Sequence, residues 1–361
     1  MTEMFGGGCI TLDNYLLINP DVAFQIANDL YFTTSRSLSG RMGNVAHINI
    51  NNDIDWAENL YDLLTLFNAN GLQLVLHEMG NPWGTALGLL APYYNYQPVS
   101  AFGATATTIA AGLLMIDKLG GDNNLGHNFF TDSRMPYWTV INEANIDLAE
   151  VPAWTAPMAD SIRSYGGKVT GTLRDTSHRY AEAFPYIMPF AEAHFNLLQA
   201  HEYLYYMIVS QIRNEGANAD IYQPIYDRGV AMFGSMLDTR GPFSVDQVVL
   251  GEWGFWHGTM QGPGLTEPLT VTHHQHAEYI RAAFDAMIDV GLKNQYYHLI
   301  FDNPVEFWGI VNEQGVPYTE EYDNFKSGMS KIVPPSIITS RFPLVELISG
   351  LTILGISNYK K

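Results

Sequence analysis

Two glutamates stand where apolar, strand-like segments stop. Tyr137-Trp-Thr-Val-Ile141 runs into Asn142-Glu143, and Gln247-Val-Val-Leu-Gly251 runs into Glu252-Trp253-Gly254. A carboxyl at the C-terminal end of a barrel strand points into the mouth, where α/β barrels put their chemistry. The two acids lie about three βα units apart along the chain, which sets them nearly across an eight-strand ring. Carboxyl groups facing each other over a cleft suit glycoside hydrolysis. One protonates the leaving oxygen and the other attacks the anomeric carbon. A single glutamate after an apolar strand reads as a cap or an ion-pair member; the same pattern at two strand ends carries the inference.

Other chemistries find less support. His273-His274-Gln275-His276 resembles a ligand cluster, and a metal-dependent barrel hydrolase is the reading it would favour. The run opens a helix, however, where neighbouring side chains point apart. No His-Glu-x-x-His pattern, no Gly-x-Gly-x-x-Gly after a strand and no P-loop occurs. Cys9 is the single cysteine, so an intrachain disulfide and a Cys-based zinc site are both excluded. No metal and no cofactor is expected. A non-catalytic glycan-binding barrel is the other alternative; it would keep an aromatic cleft and lose one glutamate.

Strand and helix patterns must alternate to hold such a pair. Val45–Ile50 reads as a strand, and Trp56–Phe67 has leucines at helical spacing up to Asn70-Gly71. Leu72–His77 is then a buried strand. Tyr137–Ile141, Gln247–Gly251 and Gln295–Phe301 continue the series, with Asp220–Pro224 a further candidate and Leu30–Ser35 and Lys168–Leu173 the weaker ones. Met158–Tyr165, Asn196–Asn214 and His274–Val290 read as helices, each stopped near glycine. Parallel neighbours need crossovers, so this alternation predicts an α/β chain, a (β/α)8 TIM barrel with long βα loops. Gly80–Asn128 exceeds a minimal loop and carries Trp83, Tyr93, Tyr94 and Tyr96, so it is expected to face substrate before a helix at Thr107–Ile116.

Ile141-Asn142-Glu143-Ala144-Asn145 resembles the Asn-Glu-Pro-Asn motif that ends strand 4 of the clan-A retaining glycoside hydrolases, with Ala144 where proline is usual. Leu250-Gly-Glu-Trp-Gly254 resembles their strand-7 motif, Leu74–His77 their strand-3 histidine, and Trp308–Tyr322 the segment after strand 8. The resemblance spans roughly Tyr31 to Lys331 and takes in cellulase- and mannanase-like as well as xylosidase- and agarase-like branches. It implies Glu143 as acid/base, Glu252 as nucleophile, and Asn142 on the sugar 2-hydroxyl. It further implies a strand-6 tyrosine that orients Glu252, taken as Tyr226 in preference to Tyr222. His77 would hold the −1 sugar, Trp308 would floor it, and Trp256, Trp253 and Trp83 would be sugar platforms. The chain departs from many cellulase-like members after strand 2, where an arginine is usual and Asn49, Asn51 and Asn52 stand; Arg36 or Arg41 would have to serve.

Composition bounds the partners. The 361 residues carry 18 Lys+Arg against 37 Asp+Glu, a net charge of −19, so nucleic acid and anionic membrane surfaces are repelled. Aromatic residues reach 13%, which suits a ring-lined cleft for an oligo- or polysaccharide, a neutral β-glycan first. Residues 1–30 are expected to be an N-terminal extension packed on the barrel, 31–335 the catalytic domain, and 336–361 an apolar C-terminal segment. Within it Phe342–Ile356 contains Glu346 and falls short of the ~20 residues of a span, so it reads as a packed helix or a clipped anchor. The start has no basic n-region and no apolar h-region, hence no visible signal peptide, although the substrate class favours an extracellular enzyme.

Overall fold

The computed structural model describes residues 6–8, 20–37, 56–76, 106–179, 181–260, 265–298, 300–302 and 307–341. Within them strand and helix alternate eight times: β1 (Gly6–Gly8), α1 (Pro20–Asp29), β2 (Thr34–Ser37), α2 (Trp56–Ala69), β3 (Gln73–Leu76), α3 (Ala106–Leu119), β4 (Trp138–Thr139) and α4 (Glu150–Ser164) form the first half. The second half is β5 (Val169–Thr170), α5 (Phe184–His194), β6 (Leu198–His201), α6 (Tyr222–Asp238), β7 (Val248–Trp253), α7 (His273–Val290), β8 (Asn294–Tyr297) and α8 (Thr319–Ile332).

The strands pair in parallel as two four-stranded sheets, β2-β3-β4-β5 and β6-β7-β8-β1. A bridge from Thr172 to Gln199 joins β5 to β6, and the Thr33 N–H donates to the Gly6 carbonyl at 3.1 Å to join β2 to β1. The result is a (β/α)8 barrel. Val75, Tyr137, Leu197, Val249 and Tyr296 form one buried cluster drawn from both sheets, while a larger core lies between strands and helices. Helix α7 shows why these boundaries fall where they do. Thr272 and Gln275 form a reciprocal capping box at its start, and Gly291 closes it in the left-handed conformation.

Several expectations change. Gly6–Gly8, placed in an extension outside the barrel, is its first strand. Glycine is required there, because a Cβ at Gly6 would meet the Gln295 carbonyl oxygen at 1.9 Å and one at Gly7 would meet the Phe32 ring at 2.5 Å. Strand 2 is Thr34–Ser37, which carries Arg36; the Val45–Ile50 segment lies outside the described residues. The Asn196–Asn214 stretch, read as one helix, begins with β6, and Asp220–Pro224, read as a strand, leads into α6. β6 is buried along its whole length and only four residues long, so its Leu198-Gln-Ala-His201 alternation is brief and runs straight into an aromatic segment. Phe342–Ile356 lies outside the described residues, and among those described no helix is long and apolar enough to cross a membrane.

Candidate active site

Glu143 follows β4. The chain keeps pairing with its neighbour past Thr139: Val140 N–H donates to the Thr170 carbonyl at 2.9 Å, and Thr172 N–H to Ile141 at 3.0 Å. At Glu143 the backbone turns to φ +51°, a left-handed conformation that an L side chain adopts only at a cost. Glu252 sits near the end of β7, and its carbonyl accepts from the Glu202 N–H at 2.9 Å.

His201, the last residue of β6, lies between the two acids. Its Nδ1 is 2.9 Å from Glu143 Oε1 and 3.3 Å from Glu252 Oε2. One carboxylate oxygen from each glutamate and a ring nitrogen of His201 all lie within 4.8 Å of one another, so the carboxyl groups face each other at close range. The hydrogen on His201 is assigned by what surrounds its other nitrogen. Gln199 Nε2 donates to Thr172 Oγ1 at 2.8 Å, so the Thr172 hydroxyl hydrogen is left for His201 Nε2, 3.1 Å away. Nε2 is then the acceptor, and Nδ1–H donates toward the carboxylates. Thr139 donates to Gln199 Oε1 at 3.4 Å and fixes the amide's orientation. Gly251 leaves room for that amide, since a Cβ there would stand 2.4 Å from Gln199 Nε2.

Gln199, His201 and Tyr203 share one face by the period of two along a strand. The Tyr203 hydroxyl donates to Glu252 Oε2. His298, just after β8, brings Nδ1 to 3.7 Å from the same oxygen, and that nitrogen is buried without a hydrogen-bond partner. Trp308 backs the group, with its ring 5.6 Å from that of Tyr203 and 5.0 Å from that of His298. The Glu143 side chain is 20% exposed and that of Glu252 7%, so the two acids occupy unlike environments. Asn142 is buried beside Glu143, and its Oδ1 has no hydrogen-bond partner. Glu202 points away from this face. Burial pushes its carboxyl up to about 7, against the opposing pull of Arg228 and Arg179 and with a push from Glu182.

Glu143, Glu252, Asn142 and Trp308 are thus brought to one place. Tyr226 is not. It lies on α6, where its hydroxyl donates to Asp289 of α7, and Tyr222 donates to Asp285 at 2.9 Å. The error follows from strand 6, which ends at His201, well before α6 begins. Trp256 is 0% exposed, donates its indole N–H to the Leu269 carbonyl at 3.3 Å and packs against Tyr205 and Trp308; it has no open face for a sugar. Trp253 is buried in the same way. His77 and Trp83 lie outside the described residues. His201, Tyr203 and His298 were missed; the first two stand in Gln199-x-His201-x-Tyr203, whose alternation is the signal that could have found them.

The histidine run does not converge on a metal. His273 pairs with Glu321 at 2.6 Å, His274 with Glu320 at 2.8 Å, and His276 Nε2 with the Tyr297 hydroxyl at 2.6 Å. His274, Glu278 and Glu320 approach one another closely, but on the surface, and Glu278 is engaged by Arg281 at 2.6 Å. At the carboxyl pair, the His201 Nδ1–H is directed at the two carboxylates as a donor.

No protein-family model and no curated protein sequence matches the chain. Solved structures do. A glycoside hydrolase family 5 mannosidase from Rhizomucor miehei superposes with a TM-score of 0.62 at 11% identity, over 93% of this chain and 94% of that one. The chain has the fold of clan-A glycoside hydrolases. An endo-1,4-β-D-mannanase from Thermotoga petrophila gives 0.60 at 12% identity, over 91% and 99%. A β-glucuronidase from an uncultured Clostridium gives 0.57 at 12%, over 91% of this chain and 50% of that one.

Proposed function

We propose that the protein is a retaining glycoside hydrolase acting on a β-linked, uncharged glycan. The observation that carries this reading is the facing of Glu143 and Glu252 within 4.8 Å, oxygen to oxygen, around His201. Retaining enzymes hold their carboxyl groups ~5–5.5 Å apart; inverting ones leave ~6.5–9.5 Å for a water. Enzymes of the same fold include mannan- and glucuronide-active members, and the −19 charge favours the neutral class.

In this reading Glu252 attacks the anomeric carbon as a carboxylate, held by Tyr203 and His201. Glu143 gives its proton to the departing glycosidic oxygen. The resulting glycosyl ester on Glu252 is then hydrolysed by a water whose proton Glu143 takes back, so both acids return to their starting states. Asn142 supplies a hydrogen-bonding group beside the reacting sugar, and Trp308 supplies the wall. Neither a metal nor a cofactor takes part.

The test is a panel of 4-nitrophenyl β-glycosides and soluble β-glycans with the product anomer followed by proton NMR from the first turnover. The β-anomer should appear first. First appearance of the α-anomer would replace retention by inversion. Binding without cleavage across the panel would turn the protein into a glycan-binding barrel.

A further inference from the structure

A cavity of about 650 Å³ lies between the loop after β7 and the loop after β8, lined by His257, Asp302, Phe307, Glu313, Gln314 and Tyr318 among others. That volume falls in the ~300–1,000 Å³ range of small-ligand sites. None of Glu143, His201, Tyr203 or Glu252 lines it. Its relation to them runs through two adjacent residues: Phe307 borders the cavity, while Trp308 packs on Tyr203 and His298. The cavity therefore adjoins the segment that carries Trp308 to the carboxyl site.

Its floor is rigid. Asp302 is 4% exposed; its Oδ2 accepts from Tyr318 O–H at 2.7 Å and pairs with His257 Nε2 at 2.9 Å, and its Oδ1 accepts from Gly309 N–H at 2.8 Å. Tyr318 has spent its only proton on Asp302, so its oxygen offers lone pairs alone. Glu313 brings carboxylate oxygens, one of which holds the Gln314 amide at 2.7 Å. Among the described residues the lining is thus rich in acceptors, has the Asn312 and Gln314 amides as side-chain donors and contains no Lys or Arg, while Phe307, 38% exposed, offers a ring at the edge. An acceptor-rich wall beside an aromatic face fits a ligand that donates many hydrogen bonds and has an apolar ring face, and it rejects anions.

We infer that this cavity is a second saccharide site, taking a neutral segment of glycan beside the catalytic pair. The choice of a saccharide rests on the glycosidase reading; the acceptor-rich cavity does not. The probes are cellohexaose and mannohexaose, with trigalacturonate as the anionic control, titrated calorimetrically into Glu143→Gln protein. Phe307→Ala, and separately Gln314→Ala in the exposed loop, are added to that background.

At least one neutral hexaose should bind, each added substitution should weaken it by about tenfold, and trigalacturonate should bind far more weakly. In the otherwise native protein, Phe307→Ala should leave turnover of single-sugar 4-nitrophenyl glycosides within about twofold, since those occupy only the catalytic position. Hexaose binding unchanged by both substitutions, no hexaose binding at millimolar concentration, or trigalacturonate binding as tightly as the neutral probes would overturn the site. If no aryl glycoside is cleaved but hexaose binds and is weakened by both substitutions, the catalytic reading fails and the saccharide site stands.

Discussion

Tyr203 donates its hydroxyl hydrogen to Oε2 of Glu252, across the seam between β6 and β7. A hydrogen bond to a charged acceptor contributes about 1.5–3 kcal/mol. Tyr203→Phe should therefore lower kcat/KM by about 10- to 150-fold on an activated glycoside. Tyr226→Phe, which only frees Asp289 at the α6–α7 surface, should leave it unchanged. Equal kinetics for both variants would remove Tyr203 from the site.

The two glutamates should differ under chemical rescue. Glu252→Gly should lose turnover of natural glycan, and azide should restore attack on an activated substrate with an α-glycosyl azide as product. Glu143→Ala should still form the glycosyl ester with a good leaving group, which azide then opens to the β-glycosyl azide. Product configuration by NMR decides; the same azide anomer from both variants would defeat the assignment of roles.

The left-handed backbone at Glu143 predicts an exchange of stability for activity. Glycine adopts φ +51° freely, whereas alanine keeps the cost of about 1 kcal/mol. Glu143→Gly should be more stable to urea than Glu143→Ala by about that amount, although both lack the acid. Equal unfolding midpoints would mean that the turn relaxes when the glutamate leaves.

Glu202 should make stability depend on pH. Its folded-state value of about 7 exceeds the ordinary 4.5, so between these values the folded chain holds a proton that the unfolded chain has lost. Its contribution is fully present below about 4.5, falls as pH rises to about 7, and is flat above, a change on the order of 3 kcal/mol. Glu202→Gln should remove that slope, seen as the difference between variant and wild type in urea unfolding at pH 5 and pH 8. An unchanged slope would show that Glu202 keeps its charge when folded.

The carboxyl pair was legible because each glutamate closes an apolar strand, and periodicity recovers such strands. What failed was β6. Leu198-Gln-Ala-His201 is buried on both faces and merges with the aromatic run after it, so helical spacing and strand spacing compete on equal terms. Losing β6 put the expected tyrosine at Tyr226, whereas the tyrosine beside Glu252 is Tyr203, and it hid His201. The tryptophans failed for a different reason. Ring content signals a cleft or a core alike, and only packing against Tyr205, Phe255 and Leu269 reveals Trp256 as core. Gly6–Gly8 escaped because three glycines have no side-chain pattern to read.

That triglycine strand sets the order in which the barrel can be completed. Gly6 sits opposite Gln295, so the earliest-made strand finds one neighbour only when the latest-made strand has left the ribosome. Pairing of such distant segments carries a loop-closure cost before any reward, which slows folding. Until then β8 presents an unpaired flank, the kind of template on which chains join one another. A chain beginning at residue 10 would keep both glutamates and their strands yet leave that flank exposed, and its failing would be association rather than lost chemistry.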